Sequence, residues 1–227
     1  MTSFYPALSV LYTPVKAFRS LPESSRLTWL VPFVLCGVLS ILTTLGINPI
    51  LQAILTNSLP VGADASQTGV AQSATAYVAP LGVVARWLIQ AGFLWMLVQL
   101  VNTPVRFSTI LTVVAYSFIV VSIGELLGVA LIHYQGVENV TNPMVLYGDF
   151  GLNRLLPGTY TMAAEGMLRS ITVFTVWHLA LLTVGMTVLA RLSAKRAFLV
   201  SFVTWAFPIL LGAASFSFFD KIRSLTL

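Results

Sequence analysis

The chain has 227 residues, of which 57% are hydrophobic and only 8% are charged, and its formal net charge is +5. A soluble domain carries roughly 25% charged residues, so this composition excludes a water-soluble monomer and indicates a membrane protein. The positive charge does not indicate a nucleic-acid partner, because the lysines and arginines flank apolar stretches, as they do in membrane proteins.

The first 26 residues are too short and too interrupted to span a bilayer, and they predict an amphipathic helix at the cytoplasmic interface. A Thr-Pro pair at residues 13–14 is typical of a helix start. The apolar side chains that share one face of this helix are Leu8, Leu11, Tyr12 and Val15. Two interpretations remain open: the helix lies on the leaflet, or it caps the end of the bundle.

Five later stretches are apolar and long enough to cross about 30 Å of hydrocarbon. Each must be a helix in lipid, since the alternating pattern of a membrane β-barrel is absent. We therefore predict an all-α integral membrane protein with five transmembrane helices in one bundle. The predicted spans are residues 27–46, 77–101, 109–132, 170–190 and 197–219, followed by a C-terminal tail at 220–227.

The basic residues are concentrated in the N-terminal segment and in the connections before the third and fifth spans. All of these positions fall on one side of a five-span bundle, which the positive-inside rule assigns to the cytoplasm. We therefore expect a cytoplasmic N-terminus and a C-terminus outside. The cytoplasmic basic face consists of Lys16, Arg19, Arg106, Arg191, Lys195 and Arg196.

Charged residues also occur inside the spans, where one charge costs at least about 2.5–3.5 kcal/mol. Arg86 lies in the second predicted span and Glu125 in the third, at similar depths below the outer interface, and His178 of the fourth span falls in the same layer. Three hypotheses account for this intramembrane polar layer. Arg86 and Glu125 form a buried ion pair that fixes helix register, the three residues line a polar cavity, or Arg86 reaches outward alone.

Small residues in the spans predict close helix packing. Gly124 and Gly128 form a GxxxG pattern in the third span, and Gly212 lies in a run of small residues in the last. Gly185 of the fourth span completes this set of predicted packing glycines. No catalytic or metal-ligand motif accompanies them, so we expect neither an enzyme nor a bound cofactor.

Three stretches of the chain resemble the Yip domain family of Ypt-interacting proteins, which are five-span membrane proteins with a cytoplasmic N-terminus. They are SVLYTPVKAFRSLPE at residues 9–23, LVQLVNTPVRFSTILTVVAYSFIVV at 97–121 and VWHLALLTVGMTVLARLSAKRAFLVSFVTW at 176–205. The acidic N-terminal region that is linked to Rab GTPase binding in eukaryotic members is missing, which points to the bacterial branch.

The resemblance implies a scaffold or accessory subunit that associates with other membrane proteins in the bacterial inner membrane. An ABC-type export system is the expected kind of partner, and a homo-oligomer is the alternative. A rival hypothesis is a small transporter, channel or lipid-handling protein that works through the intramembrane polar layer.

Overall fold

The computed structural model describes residues 4–21, 29–58, 66–101, 103–137, 150–156, 158 and 160–225. The regular elements in these ranges are helices, which confirms the predicted all-α class. They are α1 Phe4–Ser9, α2 Pro14–Ser20, α3 Leu30–Ser58, α4 Ser66–Leu100, α5 Phe107–Gln135, α6 Met162–Ser170, α7 Val173–Val188 and α8 Ala194–Leu225, with a 3₁₀ turn at Leu152–Arg154. The predicted boundary between residues 26 and 27 lies outside the described residues.

Four of the described helices contain a segment that is long and apolar enough to cross a membrane. These segments are Leu30–Gln52, Ala76–Leu100, Phe107–Gln135 and Ala194–Ala214. They match the first, second, third and fifth predicted spans. The fourth predicted span corresponds to α7, an apolar helix of 16 residues that covers about 24 Å at about 1.5 Å per residue.

The predicted start of the fourth span, at residue 170, is wrong because a capping box interrupts the helix there. The Thr175 amide donates to Thr172 Oγ1 at 3.1 Å, and the Thr172 amide donates to Thr175 Oγ1 at 2.8 Å. These two bonds satisfy amide groups that a new helix start leaves without a partner. Residue 170 therefore ends α6, and α7 begins at Val173.

The long helices also extend beyond the predicted spans. The loop expected between the first two spans is largely helical, because α3 continues to Ser58 and α4 begins at Ser66. Pro49 and Pro80 lie inside these helices, which membrane helices tolerate when neighbouring groups satisfy the freed backbone.

The helices pack around α5, which contacts α3, α4 and α7. One end of this bundle, which we call the packed end, is formed by α2, the first half of α5 and the second half of α7. The largest side chains there are fully buried: Phe18, Leu181, Leu182 and Met186. By contrast, α3 keeps apolar side chains such as Val34, Val38, Leu42 and Leu45 exposed on its outer face, as lipid contact requires. The chain is an integral membrane protein.

The N-terminal segment covers the packed end of the bundle. Phe18 of α2 is fully buried, and its ring meets the edge of Tyr116 of α5 with 6.5 Å between centroids. This contact supports the interpretation in which the segment caps the bundle. The predicted apolar face keeps Leu8, Tyr12 and Val15 exposed by 54%, 65% and 41%, so these side chains are free to contact lipid at the interface.

Candidate functional site

Arg86 of α4 and Glu125 of α5 form an ion pair, with 2.9 Å between Nη2 and Oε1. Arg86 lies about ten residues after Ala76, where the apolar segment of α4 begins, and Glu125 lies about ten residues before Gln135, where that of α5 ends. Each distance corresponds to about 15 Å of helix. Because α4 and α5 are antiparallel neighbours, the matched depth inferred from the sequence brings the two side chains together. The hypothesis in which Arg86 reaches outward alone is therefore wrong.

The ion pair is not buried, and in this respect the first hypothesis is also wrong. The Arg86 and Glu125 side chains are 51% and 36% exposed because both line a cavity. The guanidinium carbon of Arg86 lies 4.8 Å from the ring centroid of Phe118, a cation–π geometry. Arg86 is thus held between a carboxylate and an aromatic face, while part of its guanidinium remains accessible from the cavity.

His178 of α7 lies in the same layer, and its partners are groups on α4 and α5. Its Nδ1 is 3.0 Å from the carbonyl oxygen of Ser117, and its Nε2 is 2.9 Å from the amide nitrogen of Gln90. A carbonyl only accepts and an amide nitrogen only donates, so a neutral imidazole with its hydrogen on Nδ1 satisfies both contacts. The ring therefore joins α4, α5 and α7 without adding charge.

A cavity of about 950 Å³ lies beside these polar groups, with walls contributed by α3, α4, α5, α6, α7 and α8. This volume falls within the range of about 300–1,000 Å³ that is typical of small-molecule sites. Arg86, Glu125, Gln90 and His178 form a polar patch in a wall that is otherwise mostly apolar. The cavity thus combines the two surfaces that an amphiphilic ligand needs.

One side of the cavity, between α4 and α8, is open toward the surface that faces lipid. Ile89 of α4 and Phe207 and Leu211 of α8 line the cavity and are also 73%, 50% and 57% exposed. Phe93 and Phe207 stack with 4.8 Å between ring centroids and hold the two helices together beside this opening. A ligand could therefore enter from the bilayer rather than from water.

Four residues line the end of the cavity nearest α6: Phe150, Arg169, Ser170 and Thr172. Phe150 meets the edge of Phe174 with 5.4 Å between centroids. Arg169 donates from Nε and Nη2 to Glu165 Oε1 at 3.0 and 2.8 Å, so its charge is compensated within α6. A Cβ on Gly151 would lie 2.5 Å from the Arg169 Cα, which explains why glycine occupies this close backbone contact.

The predicted packing glycines differ in their surroundings. A Cβ on Gly124 would lie 2.5 Å from the Phe174 ring, and one on Gly185 would lie 2.5 Å from Val113 Cγ1, so both glycines permit close contact between α5 and α7. Gly128 is buried and lines the cavity. At Gly212, no atom of the described residues lies within 4 Å of the Cβ position, so its role in helix packing stays a prediction.

The six predicted basic residues lie at the packed end of the bundle, and all are exposed. Gly185 contacts both Val113 of α5 and Phe18 of α2, which brings the start of α5, the end of α7 and α2 to the same end. We call this set the basic end surface. It consists of Lys16, Arg19, Arg106, Arg191, Lys195 and Arg196.

A comparison with protein families identifies the chain over almost its whole length. The model of the Yip1 domain matches residues 8–216. The chain belongs to the Yip1 domain family. This match confirms the resemblance inferred from the sequence, and it covers the cavity, the ion pair and the basic end surface. Neither a curated protein nor a solved structure matches the chain.

Within this Yip1 domain, the sequence prediction missed three residues of the polar layer: Gln90, Ser117 and Phe118. Gln90 follows Arg86 by four residues, so the two side chains lie on the same helix face, and this spacing could have identified Gln90. Ser117 contributes only its carbonyl oxygen, which no sequence pattern indicates. Phe118 resembles any other aromatic residue in an apolar span, and only its 4.8 Å contact with Arg86 distinguishes it.

Proposed function

We propose that this Yip1 domain protein binds an amphiphilic membrane molecule of the phospholipid class in the cavity, and that it acts by binding rather than as an enzyme. The observation that carries the proposal is a cavity of about 950 Å³ whose mostly apolar wall contains one polar patch, built around Arg86 and Glu125. Ligand sites commonly have this composition, in which apolar groups supply contact area and a few polar groups fix orientation.

The depth of the polar patch favours a ligand from the membrane. Arg86 and Glu125 lie about 15 Å from the helix ends, close to the middle of a hydrocarbon layer about 30 Å thick. Polar groups at this depth need polar partners, because lipid tails offer none. A lipid headgroup drawn into the cavity would supply them, while its acyl chains leave between Ile89 and Phe207.

The test compares two double variants of the full chain. Ile89→Trp with Val121→Trp adds bulk to the cavity wall. Leu88→Trp with Leu127→Trp makes the same change on the same two helices, at positions that are each 46% exposed and lie outside the cavity lining. Each protein is purified in mild detergent, its bound phospholipid is counted by native mass spectrometry, and its thermal unfolding is followed to confirm folding.

We expect the wild-type protein and the Leu88/Leu127 variant to retain about one phospholipid, and the Ile89/Val121 variant to retain much less while unfolding cooperatively. The proposal fails if the wild-type protein retains no phospholipid. It also fails if both double variants retain as much phospholipid as the wild-type protein.

The basic end surface supports a second candidate function, that of a membrane scaffold or accessory subunit. Six exposed cations at one end of the bundle provide a positive potential that would attract an acidic domain of another membrane protein. An ABC-type exporter stays a prediction for the identity of this partner. Replacing Arg106, Lys195 and Arg196 with Gln should release a partner that co-purifies in mild detergent, whereas a wild-type protein that purifies alone would contradict this function.

A further inference from the structure

We infer that the ligand has a zwitterionic headgroup that carries a phosphate and a primary ammonium, as in lipids of the phosphatidylethanolamine class. This inference rests on the proposed function and adds the chemistry of the headgroup. Three properties of the cavity carry it: the net charge of its wall, the hydrogen-bonding groups left without partners, and the close spacing of its opposite charges.

Each arginine in the described cavity wall forms an ion pair with a glutamate. Arg86 pairs with Glu125 at 2.9 Å, and Arg169, which also lines the cavity, pairs with Glu165 at 2.8 Å. A neutral His178 satisfies both of its hydrogen-bond contacts and adds no charge. A wall of this kind gives no net attraction to a singly charged headgroup, and it favours a headgroup whose own charges sum to zero.

Hydrogen-bonding groups of both kinds remain available beside the ion pair. Within the described part of the chain, Arg86 donates one hydrogen bond, to Glu125, although a guanidinium carries five N–H donors. Glu125 accepts only that bond among the described residues, and its second oxygen is left over. Gln90 Oε1 is also buried, with no hydrogen-bond partner among the described residues. Donors and acceptors that lack partners in a lipid environment are costly.

A phosphoethanolamine headgroup matches the Arg86 and Glu125 groups in the sign of their charges. Its phosphate oxygens can accept from Arg86, a favourable partner for phosphate. Its ammonium carries three N–H donors, which can donate to the second oxygen of Glu125. The short linker between phosphate and ammonium keeps the two charges adjacent, as Arg86 and Glu125 are. A choline headgroup has no N–H donor, and a glycerol headgroup has no cation.

The experiment supplies the purified full-length protein with equal amounts of phosphatidylethanolamine, phosphatidylcholine and phosphatidylglycerol in detergent and identifies the retained lipid by native mass spectrometry. We expect phosphatidylethanolamine to be enriched about tenfold over each competitor, the factor that corresponds to one charge-assisted hydrogen bond. Retention without this preference overturns the headgroup assignment alone. Absence of any retained phospholipid overturns the proposed function as well.

Single substitutions in the ion pair test whether Arg86 and Glu125 determine which headgroup the cavity prefers. Glu125→Gln leaves the Arg86 charge uncompensated, so the preference should shift about tenfold toward anionic phosphatidylglycerol. Arg86→Gln leaves the Glu125 charge instead and should weaken retention of phosphatidylglycerol most. An unchanged preference in both variants overturns the inference.

A control and a second variant keep this test interpretable. Arg154→Gln makes the matching change at an exposed arginine of the 3₁₀ turn, outside the cavity lining, and should leave the lipid preference unchanged. If the single variants fail to fold, the charge swap Arg86→Glu with Glu125→Arg keeps both charges in the cavity. The swapped protein should still prefer phosphatidylethanolamine, and a preference for phosphatidylglycerol in it would overturn the inference.

Discussion

The packed end of the bundle and the cavity are both built from apolar helices, yet they are organised differently. At the packed end, Phe18, Leu181 and Met186 are fully buried, and α7 approaches α5 so closely that only glycine fits at residue 185. Around the cavity, Ile89 and Phe207 are at least half exposed. In a lipid environment, hydrophobicity does not hold helices together, so close packing has to do so. The first region is suited to stability and the second to accommodating a ligand.

Among the changes that test this contrast, Phe18→Ala should cause the largest loss of unfolding free energy. Removing a fully buried ring leaves a cavity where the N-terminal segment meets Tyr116, and such changes cost about 3–5 kcal/mol of unfolding free energy. The measurement is equilibrium unfolding in detergent. Phe207→Ala, at a position that is 50% exposed in the cavity wall, is the matched control and should cost less than half as much. Equal costs would remove the distinction between the two regions.

Gly185→Ala should have the next largest effect. The added Cβ would lie 2.5 Å from Val113 Cγ1, and a valine in a helix has little rotamer freedom to move away. Overpacking of this kind costs about 1–3 kcal/mol. Thermal unfolding in detergent measures the loss, and Gly212→Ala should leave stability almost unchanged because no atom of the described residues lies within 4 Å of that Cβ position. Adding Val113→Ala should recover part of the loss, and a failure to do so would contradict the steric explanation.

Glu125→Gln should affect stability least of the three. The Arg86 and Glu125 side chains are 51% and 36% exposed to the cavity, where a polar headgroup can compensate the charge that this change leaves on Arg86, so we expect a smaller loss than the about 1–3 kcal/mol of overpacking at Gly185. The same unfolding measurement therefore sharpens the comparison, since this variant should change lipid retention much more than stability. A loss as large as that of Phe18→Ala would instead support the hypothesis that the pair fixes helix register.

The sequence was sufficient for the helical class and for most spans, and it offered the pairing of Arg86 with Glu125 as one of three hypotheses. Apolar length identifies a membrane helix almost independently of its neighbours. The pairing followed from depth, because two charges counted from the same interface must meet if their helices are antiparallel neighbours. The structure shows that α4 and α5 are such neighbours.

Other features could not be predicted because they depend on which face of a helix meets protein. An apolar residue that faces lipid looks the same in the sequence as one that lines a cavity, so nothing distinguished Phe207 from Val34. The break between α6 and α7 was missed because threonines at residues 172 and 175 are compatible with a continuous apolar span, and only their mutual hydrogen bonds mark a new start.

The short length of α7 has a consequence for the surrounding membrane. Its 16 residues cover about 24 Å, roughly 6 Å less than an average hydrocarbon layer of about 30 Å, whereas the apolar segment of α5 has 29 residues. Val173 in the first turn of α7 is 68% exposed, so the short helix reaches the protein surface. Hydrophobic mismatch of this kind thins the adjacent bilayer at a modest cost for each ångström. The protein should therefore partition into thinner membranes, and in a thicker membrane it should thin the bilayer beside α7.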